Sequence, residues 1–425
     1  MKQVLIIAYY FPPLGMGGVQ RAAKWTKYLP SFGWQPHIVT VKDIEYYAHD
    51  LTLLEDVRCG TIYRTESFDP ARVLARFRRR NPIDSKEKMT FSRKGVDAAR
   101  RLFIPDSKIG WYPFAWRKLV LLAERIRPDA VISTSPPLTA HLLGMKFRKK
   151  FQIPWVADFR DYWLGGEYLY APTFLHRYLH KKWARDVVKT ADAVISISEP
   201  IRQSFLSMDS ADAEKFYDIP NGFDPDDFQR IAPEKLPRKS LLYLGSLGGA
   251  NDPSLFFRAL KNLTRKNPAI LLDWKFLFVG KGISAVAVPP EIGDRLQFVP
   301  YVSHSKAIAF LKGALALLFT LSANVNPGMV TGKIFEYIGS GKPIFAISPE
   351  GVVATELLRS YNFGTLITDL NPEVIADKLE DFLRIDWGEK SPASLRGFQE
   401  MYSRKNQTEK LIDVLDQITS EKTRN

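Results

Sequence analysis

Lys333 and Glu336 stand one helical turn apart in TGKIFEYIGSGKPIFAI, Thr331 to Ile347, a passage patterned as loop, helix, loop and strand. Residues at i and i+3 share one side of a helix, so both side chains project from the same face. An ammonium beside the free amides of a helix start suits phosphate. A carboxylate one turn on can accept two hydroxyl hydrogen bonds from a ribose. A plain surface ion pair is the other reading of these two residues. A second anion site is written near the amino terminus in YYFPPLGMGGVQRAAKW, Tyr9 to Trp25, a glycine-rich turn between an apolar run and an amphipathic helix. Gly17 and Gly18 let the backbone approach a ligand closely where helix-start amides accumulate. The competing reading is that the glycines only make the turn. The prolines that lengthen this loop and the lysine before Asp43 in VTVKD argue against a nicotinamide fingerprint.

Two further groups could take part. ADFRDYW carries Asp158, Arg160 and Asp161 at the end of an apolar run. A carboxylate there could orient or deprotonate an acceptor hydroxyl, and the arginine could bind phosphate. An internal salt bridge is the alternative, and Asp161 is favoured for the acceptor role. Ser135 in STSPPLTAHLL lies in a neighbouring loop, with His141 read as a packed or surface residue. Lys281 in FVGKG is either a phosphate cation or a solvated loop lysine. His176 and His180 are spaced i, i+4 but lack an HExxH glutamate and sit among lysines, so no metal is assigned. No GxSxG elbow and no cysteine nucleophile pattern occurs.

Short β-branched runs alternate with helical patterns, the rhythm of parallel sheets with crossover helices. The strand candidates are QVLIIAY, HIVTV, DAVIST, PWVAD and DAVISI, then LLYLG, WKFLFVG, RLQFV, ALALLFT and PIFAI. The rhythm stops at the polar stretch DPDDFQRIAPEKLPRKS and then restarts. The expected organisation is a first Rossmann-like lobe over 1–225, a linker over 226–239, a second Rossmann-like lobe over 240–395, and a helical segment over 396–425 that could pack back on the first lobe. Two such doubly wound lobes would face a central cleft and bind ligands at the carboxyl ends of their strands.

With 425 residues, 45% of them hydrophobic, the chain can bury large cores without cross-links. Its single cysteine, Cys59, excludes an intramolecular disulfide and favours a reducing compartment. The apolar tract AIAFLKGALALLFTLSANV is broken by Lys312 and Gly313, short of the ~20 residues a membrane-spanning helix needs, and reads as a helix end plus a core strand. Net charge is +14, and Arg72 to Arg127 alone holds 16 Lys or Arg against 5 Asp or Glu. Such a segment suits an anionic membrane surface or is a solvated excursion. Nucleic acid is disfavoured because neither stacking platforms nor a recognition motif accompanies it.

YYFPPLGMGGVQRAAKWTKYLPSFGWQPHIVT, DAVISTSPPLTAHLLG, PWVADFRDYW, ISISEPIRQSF, IPNGFDPDDF, LLYLGSLGGANDPSLFFRAL and KIFEYIGSGKPIFAI occur in this order. Together, from about Lys2 to Gly364, they resemble bacterial family 4 glycosyltransferases of the GT-B fold, which act in surface polysaccharide and glycolipid assembly. The resemblance implies a nucleotide-sugar donor, most readily a UDP- or GDP-sugar, bound mainly by the second lobe. It implies a glycan or lipid-linked acceptor bound mainly by the first. Transfer would retain configuration without a metal, Gly17 and Gly18 would lie by the donor diphosphate, and Glu336 would hold the ribose.

Breaking the bond to the diphosphate develops negative charge on the leaving oxygen. Lys333, Lys281 and the glycine amides are the candidates to stabilise it. Two departures stand out. After Gly245, in GSLGGANDP, Ser246 and Asn251 occupy positions where the family often has cations. Where the family's first paired glutamate would fall, the chain has Gly328, leaving Asn326 and the amides around Gly328 and Met329 for the donor sugar. The expected protein is thus a retaining hexosyltransferase, cytoplasmic and peripheral on the inner face of the plasma membrane. A GT-B-shaped scaffold without turnover is the alternative.

Overall fold

The structure, a computed structural model, describes residues 1–422 except 43, 45, 47, 70–102, 166–168, 170, 210–211, 238, 283–286 and 389–393. Most of the basic segment read from the sequence therefore lies outside the described residues. The chain divides into two compact units, Met1–Pro220 with Thr408–Asn425, and Asn221–Gln407.

The first unit is built on strands β1 (Lys2–Ile7), β2 (Trp34–Val41), β3 (Thr61–Thr65), β4 (Ala130–Ser135), β5 (Trp155–Phe159), β6 (Ala193–Ser196) and β7 (Phe216–Asp218). They form one parallel sheet in the order β3-β2-β1-β4-β5-β6-β7. Successive side chains of a strand point to opposite faces, so a sheet covered on both faces needs continuous apolar runs. In β1 Val4, Leu5, Ile6 and Ile7 are all fully buried. Leu5 and Ile7 join a core with Leu119, Leu143 and Val187 from helices on one face. Val4 and Ile6 join another with Ala22, Trp25, Leu411 and Leu415. The carboxyl-terminal segment thus supplies part of one face of this unit.

The second unit repeats the plan with β8 (Lys239–Leu244), β9 (Trp274–Val279), β10 (Leu296–Val299), β11 (Ala316–Thr320), β12 (Ile344–Ile347) and β13 (Gly364–Ile367). Their order is β10-β9-β8-β11-β12-β13, again parallel. Leu242 and Leu244 face one core and Leu241 and Tyr243 the other. In each sheet the strand order reverses beside the first strand, between β1 and β4 and between β8 and β11. The crevice outside the carboxyl ends of those strands is where doubly wound sheets take ligands.

Three strands escaped the sequence reading, and all lie at sheet edges: β3, β7 and β13. Edge strands bury less of themselves, so they carry no long apolar run; β3 and β13 are exposed at their first residue, part-buried through the middle and buried only at their last. The stretch expected as a linker over 226–239 is instead built into the second unit. It overlaps helix Pro225–Arg230, the Glu234 amide donates to the Ala309 carbonyl (2.8 Å), and the Lys312 ammonium holds the Phe228 and Ile231 carbonyls. The tract around Lys312 is the end of helix His304–Gly313 followed by β11. Among the described residues no helix is long and apolar enough to cross a membrane.

Leu415 is fully buried against the β1 face. Its replacement by alanine is expected to lower unfolding free energy by about 2–5 kcal/mol, measured by denaturant titration.

Candidate functional site

In the first unit the loop after β1 leads into helix Gly17–Tyr28, which no side chain caps. Met16, at its start, has φ 76° and ψ 163°, a region that L residues seldom adopt. The loop is held by hydrogen bonds from the Gly15 amide to the Ala48 carbonyl (3.0 Å) and from the Asp50 amide to the Pro13 carbonyl (2.7 Å). A Cβ on Gly17 would meet nothing within 4 Å, so packing does not require glycine there.

One turn on, Arg21 is buried and forms a forked pair with Asp158 of β5 (2.8–3.2 Å), while its remaining donors reach the Ile219 and Pro220 carbonyls (2.8 and 3.0 Å). Thr134 of β4 donates to the other side of the Asp158 carboxylate (2.6 Å). Asp158 was expected near the chemistry. It is fully buried with both oxygens engaged, so it serves as an anchor rather than a proton acceptor.

Arg160 is also buried; its guanidinium donates to the carbonyls of Ser135 (2.7 Å), Pro136 (3.0 Å) and Gly18. It therefore joins the loops after β1, β4 and β5, and burial lowers its pKa. Asp161 follows, part-exposed beside that cation. His141 accepts or donates through Nδ1 at Ser133 Oγ (2.8 Å) and packs on Phe159, where burial first and Arg160 second push its pKa down to about 3. It is neutral at physiological pH and unsuited to acid–base work. The sequence missed Arg21, whose partner lies 137 positions away, and Asp106. The part-buried Asp106 carboxylate accepts from the Thr139 amide and hydroxyl (both 2.9 Å) at the start of helix Thr139–Phe151.

In the second unit Gly245 and Gly280 end β8 and β9 back to back. A Cβ on Gly280 would lie 1.9 Å from the Gly245 carbonyl oxygen, so only glycine permits this approach. Lys281 Nζ lies 5.4 Å from the centre of the Tyr301 ring, and burial lowers its pKa. Lys333, at the start of helix Gly332–Gly339, donates to Tyr243 Oη (2.9 Å) and Asn251 Oδ1 (2.8 Å) over the rings of Tyr243 and Phe319. No carboxylate is among these partners, and desolvation pulls its pKa down to about 7. Asn251 stands where the family often has a cation; Lys333 brings one to it from the start of helix Gly332–Gly339.

Glu336 does not pair with Lys333. Its Oε1 lies 3.8 Å from Nδ1 of His304, whose Nε2 meets Asp227 Oδ2 at 3.0 Å. His304, at the start of helix His304–Gly313, went unread because a lone histidine carries no spacing signal. Asn326, Gly328 and Met329 were expected to grip a sugar. The Gly328 amide instead donates to Asn326 Oδ1 (3.1 Å) and the Met329 amide to the Asn326 carbonyl (2.9 Å). Those amides are committed to closing a turn.

Residues 16–227 match the family model described as Glycosyltransferase Family 4. Among curated proteins no sequence match was found. HepE from Anabaena, solved with UDP-glucose, is 14% identical with a TM-score of 0.61, covering 98% of this chain and 100% of that one. A glycosyltransferase from Rickettsia africae ESF-5 is 17% identical with a TM-score of 0.61 over 98% of both chains. The lipopolysaccharide outer core galactosyltransferase WaaB is 15% identical with a TM-score of 0.57, covering 98% of this chain and 99% of that one. At these identities the likeness is one of fold, the GT-B fold with its two Rossmann-like units.

Breaking the Arg21 and Asp158 pair leaves one charge buried and alone. Asp158→Asn is expected to cost about 3–5 kcal/mol of stability in denaturant titration, and Arg21→Met with Asp158→Leu together markedly less than that.

Proposed function

We propose that this chain, whose residues 16–227 match the model of Glycosyltransferase Family 4, moves a sugar from a nucleotide-diphosphate donor to a glycan or lipid-linked acceptor in cell-surface polysaccharide assembly, with retention of configuration. UDP-sugar is the first donor to test, since HepE is solved with UDP-glucose; a GDP-sugar is the second. The reading makes the protein a peripheral enzyme at the inner face of the plasma membrane.

The observation that carries the donor assignment is Lys333. Its ammonium is desolvated, held by two neutral oxygens, and set at an uncapped helix start beside the β8 and β11 ends. A diphosphate arriving there would meet a cation and helix-start amides, and the charge developing on the leaving oxygen would be stabilised in poorly solvated surroundings. Glu336, oriented by His304, would accept the ribose hydroxyls one turn on. In the first unit the amides of Gly17 and Gly18 are offered to an anion in the same way. Arg160 braces those loops, and Asp161 beside it is the group to orient or deprotonate an acceptor hydroxyl. The chain's own cations suffice for this scheme, so no metal is invoked. Gly328, where the family's first paired glutamate would fall, and the loop with Ser246 and Asn251, where the family often has cations, favour a scaffold without turnover as the second reading.

Calorimetry with UDP and GDP tests both. The Lys333 ammonium of the free protein, with a pKa near 7 instead of the ordinary 10.5, is mostly neutral at pH 8. An anion favours the protonated form, so binding above pH 7 takes up a proton, while binding below about pH 6 does not. Affinity is expected to fall as pH rises from 6 to 8.5, and Lys333→Gln to weaken binding and remove the proton uptake. Glu336→Ala should weaken binding by about tenfold or more, as loss of charged hydrogen bonds implies. Folded protein that binds neither nucleotide would favour the scaffold.

A further inference from the structure

Helix Phe174–Thr190 is anchored on one side by the buried His176, His180, Ala184, Val187 and Val188, and Thr173 caps its start through the His176 amide. Its other side has an unusual composition. Phe174, Leu175 and Tyr178 are 76%, 57% and 54% exposed. Arg177, Lys181, Lys182, Arg185 and Lys189 are exposed as well. At 3.6 residues per turn Phe174, Tyr178, Lys181 and Arg185 fall on one stripe, with Leu175, Lys182 and Lys189 alongside.

Single exposed apolar residues need no explanation, but adjoining ones do. The Phe174 and Tyr178 rings stack at 6.4 Å, so the helix begins with a contiguous apolar tip. Behind it the helix carries five Lys or Arg and one acid, Asp186, which lies 3.8 Å from Lys182. An apolar tip with a cationic shaft on the same exposed face is complementary to a surface that is negative outside and apolar a few ångströms deeper. Lysine and arginine can lay their stems along such a surface with their charges at its headgroups.

We infer that this face of the helix rests on an anionic bilayer, with Phe174, Leu175 and Tyr178 entering the headgroup layer and the cations lying on anionic lipid. The inference depends on the membrane-peripheral reading above and names the element that carries it, distinct from the basic Arg72 to Arg127 stretch.

Full-length protein is sedimented with vesicles of phosphatidylglycerol and phosphatidylcholine, and with phosphatidylcholine alone, at low and physiological salt. Wild type is compared with Phe174→Ser/Leu175→Ser/Tyr178→Ser and with Lys181→Glu/Lys182→Glu/Arg185→Glu, and thermal midpoints check that both variants fold. Wild type is expected to prefer anionic vesicles, with both variants losing about tenfold or more in affinity. Wild type that ignores anionic vesicles overturns the inference together with the membrane reading. Variants that bind like wild type overturn the helix assignment and leave the membrane reading standing. Loss in the charge variant alone overturns insertion of the apolar tip.

Discussion

The loops at the carboxyl ends of the first unit's strands hang on the buried pair of Arg21 and Asp158. The pair joins the helix after β1 to β5, Thr134 adds β4, and the Ile219 and Pro220 carbonyls add the chain after β7. A buried ion pair is poor evidence of stability in itself, because desolvation offsets its attraction. What it supplies is register. Four separate segments meet at one guanidinium and one carboxylate, and a shift in any of them would strand a charge. Arg160, bonded to three backbone carbonyls, extends the same constraint outward to Gly18.

The second unit reaches a comparable end by a different route. Its strand-end loops approach through glycine, Gly245 against Gly280, and the cation at the site is held by a phenol and an amide rather than a carboxylate. The contrast has a chemical logic. A cation already neutralised by a carboxylate, like Arg21, has little attraction left for an anion. One held by neutral oxygens and pressed against aromatic faces retains it, at the cost of a lowered pKa.

How much of this could be read beforehand follows from what each feature rests on. Interior strands such as β1 and β11 were legible because burial on both faces demands unbroken apolar runs. Edge strands β3, β7 and β13 were not, since that demand is relaxed there. Lys333 and Glu336 were legible as a pair by spacing, but the partners of Lys333 are 90 and 82 positions away, and no periodicity reports them. Asp158 shows the opposite case: its place at a strand end was visible, yet its being locked by Arg21 depended on a contact across the fold. At Asn326 the following amides close a local turn, and no spacing in the sequence reports those hydrogen bonds.

The return of residues 408–425 to the first unit has a consequence for how the protein is made. Val4 and Ile6 lie on a sheet face completed by Leu411, Leu415 and Ile418. The whole of Asn221–Gln407 must be synthesised before those residues exist. At the usual pace of about 5–20 residues per second, that face waits for roughly ten to forty seconds on the ribosome. Through that interval the nascent first unit carries an apolar sheet face that its own residues do not yet complete.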